Sequence, residues 1–140
     1  MQALLVDCVE KLQQNYPKIK GGEKFILLTS TTTSTEGALY YVESCGILNK
    51  LKEKNIKLEK IISTDLVPAA ISKNGELIIP VAIDYLLWTK EVSSAFEKIK
   101  SSYKKNSKKN SVVLALKGRT SDLAMSNLVS QKVKVIQQVY

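Results

Sequence analysis

Val112-Val113-Leu114-Ala115-Leu116-Lys117-Gly118-Arg119-Thr120-Ser121-Asp122 passes from five apolar residues through a polar turn into a helical pattern. The apolar run is short and continuous, as suits a strand buried on both faces. The helix continues through Leu123, Ala124, Leu128 and Val129, and Val133 to Val139 reads as a closing strand. Strand, helix and strand in this order form a βαβ unit, whose crossover is right-handed in nearly all cases.

The same alternation holds upstream. Met1, Leu4, Leu5, Cys8, Val9, Leu12 and Tyr16 recur at three- and four-residue spacing, an amphipathic helix stopped by Pro17 and Gly21-Gly22. Phe25 to Thr29 reads as a buried strand. Thr31-Thr32-Thr33-Ser34-Thr35 follows, and Thr33 with Glu36 fits a capping box that opens a second helix through Leu39, Val42, Cys45, Leu48 and Leu51. Leu58 to Ser63 is the next strand, which completes another βαβ unit. Val67 to Ser72 and Leu77 to Ile83 flank Lys73-Asn74-Gly75-Glu76. Asn-Gly between apolar runs predicts a two-residue hairpin turn, with Pro80 facing Ala69 and Pro68 facing Val81. Two prolines at one end of the hairpin argue for an edge or bulged position. Asp84 is placed to cap a third helix with a stripe of Tyr85, Trp88, Val92, Phe96, Ile99 and Tyr103. Lys104-Lys105-Asn106-Ser107, repeated as Lys108-Lys109-Asn110-Ser111, is a solvated loop of low complexity.

The order α-β-α-β-(β-hairpin)-α-β-α-β predicts an α/β fold: a single domain over residues 1–140, with a mostly parallel sheet, helices on both faces and an added antiparallel hairpin. The length of 140 residues suffices for one core, and 44% apolar with 24% charged residues is an ordinary globular composition. No apolar run approaches the roughly 18 residues of a membrane span. The first residues lack the basic flank and cleavage site of a signal peptide, so an intracellular, soluble protein without membrane contact is expected.

The formal net charge of +8 is concentrated in one stretch. No acid stands between Glu97 and Asp122, where Lys98, Lys100, Lys104, Lys105, Lys108, Lys109, Lys117 and Arg119 lie. Removing these from the 21 basic residues leaves as many as the 13 acids. A localised cationic stretch on a neutral body suits a polyanion, and phosphate contacts made this way give salt-dependent binding with little sequence preference. Tyr103 and Tyr140, if exposed, could stack on bases, whereas Trp88 is expected inside.

There is no histidine, which excludes serine–histidine and cysteine–histidine catalysis. Cys8 and Cys45 fall inside apolar helical patterns and read as reduced thiols, too few for a zinc site or a disulfide framework. Carboxylate chemistry is the remaining enzymatic route. Asp65, Glu76 and Asp84 are the candidates for a metal-dependent nuclease, while Asp122 reads as a helix N-terminal charge. No catalytic residue, cofactor or metal is assigned.

Two loops follow predicted strands and lead into helices, where backbone N–H groups and the helix dipole favour an anion. One offers Thr31, Thr32, Thr33 and Ser34; the other offers Lys117, Gly118, Arg119, Thr120 and Ser121. Arg119 is the only arginine, and its planar fork suits bidentate phosphate contact. Neither loop carries a Gly-x-Gly-x-x-Gly or Walker-type pattern.

The stretch Val112 to Arg119, with the helix and strand that follow, resembles the basic strand–loop–helix of Alba-type nucleic-acid-binding proteins, although the N-terminal half does not fit that fold. Gly118 to Asp122 resembles the phosphate loop of sugar-isomerase domains, and Ser30 to Glu36 that of flavodoxins. The strand–loop–helix pairs resemble cyclic-oligonucleotide-sensing domains of CRISPR-associated proteins, without their usual glycine pair. These local likenesses name no family, and they imply phosphate-facing loops. Three functions are therefore expected in order: a non-enzymatic nucleic-acid-binding domain (RNA or DNA) within a larger assembly; a domain that binds, with cleavage as an option, a nucleotide or other phosphorylated ligand at the strand-end loops; and a structural subunit docking on a protein partner or on a second copy of itself.

Overall fold

Short apolar runs pair into a sheet wherever their backbone groups can be satisfied by a neighbour, and five of them do so here. The computed structural model describes residues 2–25, 35–63, 68–103 and 111–140. Its strands are β1 (Leu58–Ser63), β2 (Pro68–Ser72), β3 (Leu77–Val81), β4 (Tyr85–Leu86), β5 (Val112–Leu116), β6 (Arg119–Thr120) and β7 (Lys134–Ile136). Its helices are α1 (Gln2–Asn15), α2 (Thr35–Lys50), α3 (Lys90–Tyr103) and α4 (Asp122–Ser130), with a 3₁₀ turn at Leu51–Lys54. The main sheet has the order β1-β2-β3-β5-β7, and β4 pairs with β6 alone.

The chain is a single α/β domain, but its sheet is mixed rather than mostly parallel. β1–β2 and β2–β3 are antiparallel, and β3–β5 and β5–β7 are parallel. The reason lies at β2, which sits between β1 and β3 and runs against both, so the hairpin is built into the sheet instead of being added to it. Phe25 is helical and buried in the core, and the rest of the expected first strand, within residues 26–34, lies outside the described residues. Among the described residues β1 begins an antiparallel meander. Its outer edge meets Lys20, whose N–H donates to the Glu59 carbonyl at 3.2 Å and whose carbonyl accepts from Ile61 N–H at 2.7 Å.

The hairpin forms with a three-residue loop, one longer than expected. Ala70 pairs with Ile78 and Ile71 with Leu77, and Gly75 takes φ = 86°. The left-handed glycine absorbs the extra residue and shifts the register by one, which keeps Ala70 with Ile78, and Ile71 with Leu77, on common faces of the sheet. The prolines do not mark an edge, because β2 and β3 are both interior strands. Strand alternation turns the nitrogens of Pro68 and Pro80 toward each other, and the β2–β3 pairing ends at Ala70–Ile78, before either needs a donor.

Helices cover both faces, as expected. α1 and α2 pack Leu5, Leu12, Cys45, Ile47 and Leu48 against Ile61, Ala70, Ile78, Val113 and Ala115. On the other face, Phe96, Tyr103 and Leu128 of α3 and α4 meet Ile71, Leu77, Ile79, Leu114 and Leu116. Both parallel crossovers step in one direction along the sheet, which puts α3 and α4 on the same side. Asp84 does not cap α3: Tyr85 and Leu86 extend as β4, and the Thr89 hydroxyl accepts from Val92 N–H at 3.1 Å at the true helix start. Ser121 caps α4 by accepting from Ala124 N–H at 3.1 Å.

Cys8 and Cys45 are unbridged thiols in the α1–α2 contact. The hydrogen bond from Cys45 holds the Cys8 thiol below its ordinary value, and the same contact together with burial pushes Cys45 up. Tyr16, just past α1, donates to the Leu48 carbonyl at 2.8 Å. Burial pushes its hydroxyl up to about 12, against an ordinary value of 10. The neutral phenol is therefore favoured by folding. Its contribution is complete below pH 10 and is lost as pH rises through about 12. Tyr16→Phe is expected to lower stability near neutrality by about 1 kcal/mol and to flatten this alkaline decline. Urea denaturation from pH 7 to 12 measures both effects.

Candidate functional site

β1, β3, β5 and β7 all run in the same direction, so the sheet has a carboxyl-terminal end and an amino-terminal end. The carboxyl-terminal end carries Lys117, Gly118, Arg119, Thr120 and Ser121. Their backbone N–H groups are used inside the protein. Those of Lys117, Gly118, Arg119 and Ser121 donate to the carbonyls of Val81, Ile83, Asp84 and Leu86, and that of Thr120 donates to Gln137 Oε1 at 2.8 Å. On the other side, Gln138 N–H donates to the Gly118 carbonyl and Val139 N–H to that of Leu116. The run is thus a strand extension held between two neighbours, and none of these donors is left over for a phosphate.

Its side chains are also engaged. Lys117 Nζ lies 3.1 Å from Glu43 Oε1 and 3.5 Å from Asp84 Oδ1. The hydrogen bond that Lys117 donates to Glu43, with Asp84 adding to it, holds the ammonium above its ordinary pKa, so Lys117 is a fixed cation and not a base. Arg119 is exposed and donates through Nε and Nη2 to Gln138, at 3.1 and 3.2 Å with the amide oxygen turned toward it. Tyr140 is half-exposed, and its hydroxyl donates to the Glu43 carbonyl at 3.1 Å.

The structure separates the acids offered for nuclease chemistry. Glu76 precedes β3 and Asp84 follows it, eight residues along an extended run, or about 26 Å. Asp65 and Thr31 to Ser34 lie outside the described residues, as do Lys104, Lys105, Lys108 and Lys109. Among the described residues no group of acids, cysteines and histidines could hold a metal ion, and no helix is long and apolar enough to cross a membrane.

The basic stretch is likewise divided. Lys117 and Arg119 sit beyond the carboxyl end of β5, while Lys98 and Lys100 lie in the last turns of α3, which leads back toward the amino end of β5. One five-residue strand, about 17 Å, separates the two groups. Lys100 Nζ donates to Gln131 Oε1 at 3.1 Å, pairs with Glu97 at 3.6 Å and lies 5.3 Å over the Phe96 ring. That contact joins the end of α3 to the α4–β7 turn, where Lys132 and Lys134 are exposed. Tyr103 is 1% exposed and unavailable for stacking, and Trp88 packs edge-on against Phe96.

The amino-terminal end holds residues that the linear charge count missed. Lys18 follows α1, Lys52 and Lys57 stand between α2 and β1, and Lys73 occupies the β2–β3 turn. Together with Lys98, Lys132 and Lys134 they form no ion pair among the described residues. The four helix C-termini also point to this end, each worth about half a negative charge. That offsets about two of these lysines and leaves a net cationic surface. Ser111, whose carbonyl accepts from Leu77 N–H at 2.9 Å, stands at the same end. No protein-family model matches the chain, and neither a curated protein nor a solved structure matches it.

Proposed function

We propose that this α/β domain binds nucleic acid through the lysines at the amino-terminal end of its strands, without catalysing a reaction. The observation that carries the reading is the collection, on that one end, of lysines from separate links that form no ion pair among the described residues. Phosphate contacts from lysines position a nucleic acid without reading its bases, so affinity should depend steeply on salt and little on sequence. A place in a larger assembly is compatible with this role.

Fluorescence anisotropy with labelled single- and double-stranded RNA and DNA, at low and near-physiological salt, tests it. The variant with Lys98, Lys132 and Lys134 changed to glutamine is expected to bind much more weakly. Each phosphate contact removed should lower the log–log salt slope by about 1. Absence of binding at low salt, or binding indifferent to these lysines, would overturn the reading.

Lys132 supplies a sharper test. It sits at φ = 63°, in the left-handed cap of α4, where glycine is usual. A side chain there costs about 1 kcal/mol of backbone energy. Lys132→Gly is expected to raise stability by about 0.5–1 kcal/mol while weakening nucleic-acid binding. Chemical denaturation and anisotropy on the same samples would show the two effects moving in opposite directions.

A further inference from the structure

A cleft of about 400 Å³ opens at the lysine-rich end, between the turn after α1 and the link from α2 to β1. Lys18, Lys52, Lys57 and Lys73 line it, with Pro17 and Ile56 among its apolar walls. The backbone holds the lining in place. Lys73 N–H donates to the Lys57 carbonyl at 2.9 Å, and Asn55, in the left-handed region at φ = 60°, turns the chain from the 3₁₀ segment toward β1. Tyr16 anchors the facing wall through its bond to Leu48. None of the four lysines pairs with an acid among the described residues.

We infer that this cleft binds one nucleoside phosphate unit, with the phosphate held by Lys57, Lys73, Lys18 and Lys52 and the nucleoside lying against Pro17 and Ile56. The volume falls in the range of small-ligand sites and admits a single nucleotide but not a duplex. Four cations without acidic partners suit a phosphate dianion, and the apolar walls suit a base or ribose face. The unit has two sources, a free nucleotide or the terminal nucleotide of a single strand. The inference deepens the nucleic-acid reading, and in the second case it rests on that reading.

Isothermal titration calorimetry with adenosine 5′-monophosphate, and with adenosine as the phosphate-free control, tests the cleft. Lys57→Gln/Lys73→Gln is expected to weaken AMP binding at least tenfold. Lys11→Gln/Lys90→Gln, outside the cleft and away from the lysine-rich end, should leave it unchanged, and adenosine should bind at least tenfold more weakly than AMP. All four side chains changed are exposed, and thermal unfolding confirms that each variant is folded. A 5′-phosphorylated single-stranded oligoadenylate distinguishes the sources. Tighter binding than AMP, lost in the cleft variant, identifies a strand end; oligonucleotide binding unaffected while AMP binding is lost identifies a free nucleotide. AMP binding that is absent, or equal in the wild type and the cleft variant, overturns the inference. Absence of all oligonucleotide binding with AMP binding intact instead sinks the nucleic-acid reading and leaves the cleft standing.

Discussion

Gly118→Ala is expected to destabilise the domain by about 3 kcal/mol, the upper part of the range for forcing atoms into packed structure. A Cβ at this position would overlap the Asp84 carbonyl group, which is backbone and cannot rotate away. The Asp84 carbonyl is itself fixed, because it accepts from Arg119 N–H at 3.0 Å. Relief therefore requires the β4–β6 pair to separate, and with it the Lys117 contacts to Glu43 and Asp84 on the same link. The cause is space: Gly118 is not among the residues of positive φ. Urea denaturation should show a lower midpoint, and Gly118→Ser should behave in the same way. A change under about 0.5 kcal/mol, typical of neutral surface substitutions, would contradict this account.

Tyr103→Ala is expected to cost about 4 kcal/mol, as for other large buried aromatics. Tyr103 is the last residue of α3 and packs in the core shared with Leu77, Leu114 and Leu128. Its loss would hollow that core where α3 gives way to the lysine-rich segment. Thermal unfolding measures the stability change. Nucleic-acid binding by the fraction that remains folded should weaken less than in the variant with Lys98, Lys132 and Lys134 changed, since Tyr103 itself is 1% exposed. Binding lost to the same degree in a folded Tyr103→Ala protein would mean that the ring does touch the ligand.

Much of the architecture was legible because period and punctuation are local properties. The helices of Leu5–Leu12, Cys45–Leu51 and Phe96–Tyr103 follow their apolar spacing, and Val112 to Leu116 is a buried strand as its composition implies. Sheet direction was not legible. It depended on where the hairpin strand inserts: β2 stands between β1 and β3, and the spacing of apolar residues along the chain does not fix strand order. The loop length at Lys73–Gly75 turned on a single left-handed glycine, which Asn-Gly signals without fixing how many residues share the turn.

The site was legible in part, for a different reason. The chain was read along its length, so the gap in acids between Glu97 and Asp122 stood out while Lys18, Lys52, Lys57, Lys73, Lys132 and Lys134 merged into a balanced background. These lysines stand next to the starts of strands or in the turn between them. In an α/β fold, helices that return a parallel chain bring those links to one end of the sheet, so their charges add although they are distant in sequence. Lys117 and Arg119 belonged to the same linear run, but they follow a strand and so fall at the opposite end.

The facing prolines of β2 and β3 have a consequence for motion. Neither nitrogen carries a hydrogen, so the space between β2 and β3 cannot be laced shut beyond Ala70 and Ile78. Opening begins where the fewest backbone bonds must break. The sheet therefore has a seam at its carboxyl-terminal end, and its fraying is directional. Amides beside the seam are expected to exchange before those at the opposite end of β2 and β3, which native-state hydrogen exchange would measure. The lysine-bearing turns and the proline seam thus lie at opposite ends of the same five-stranded sheet.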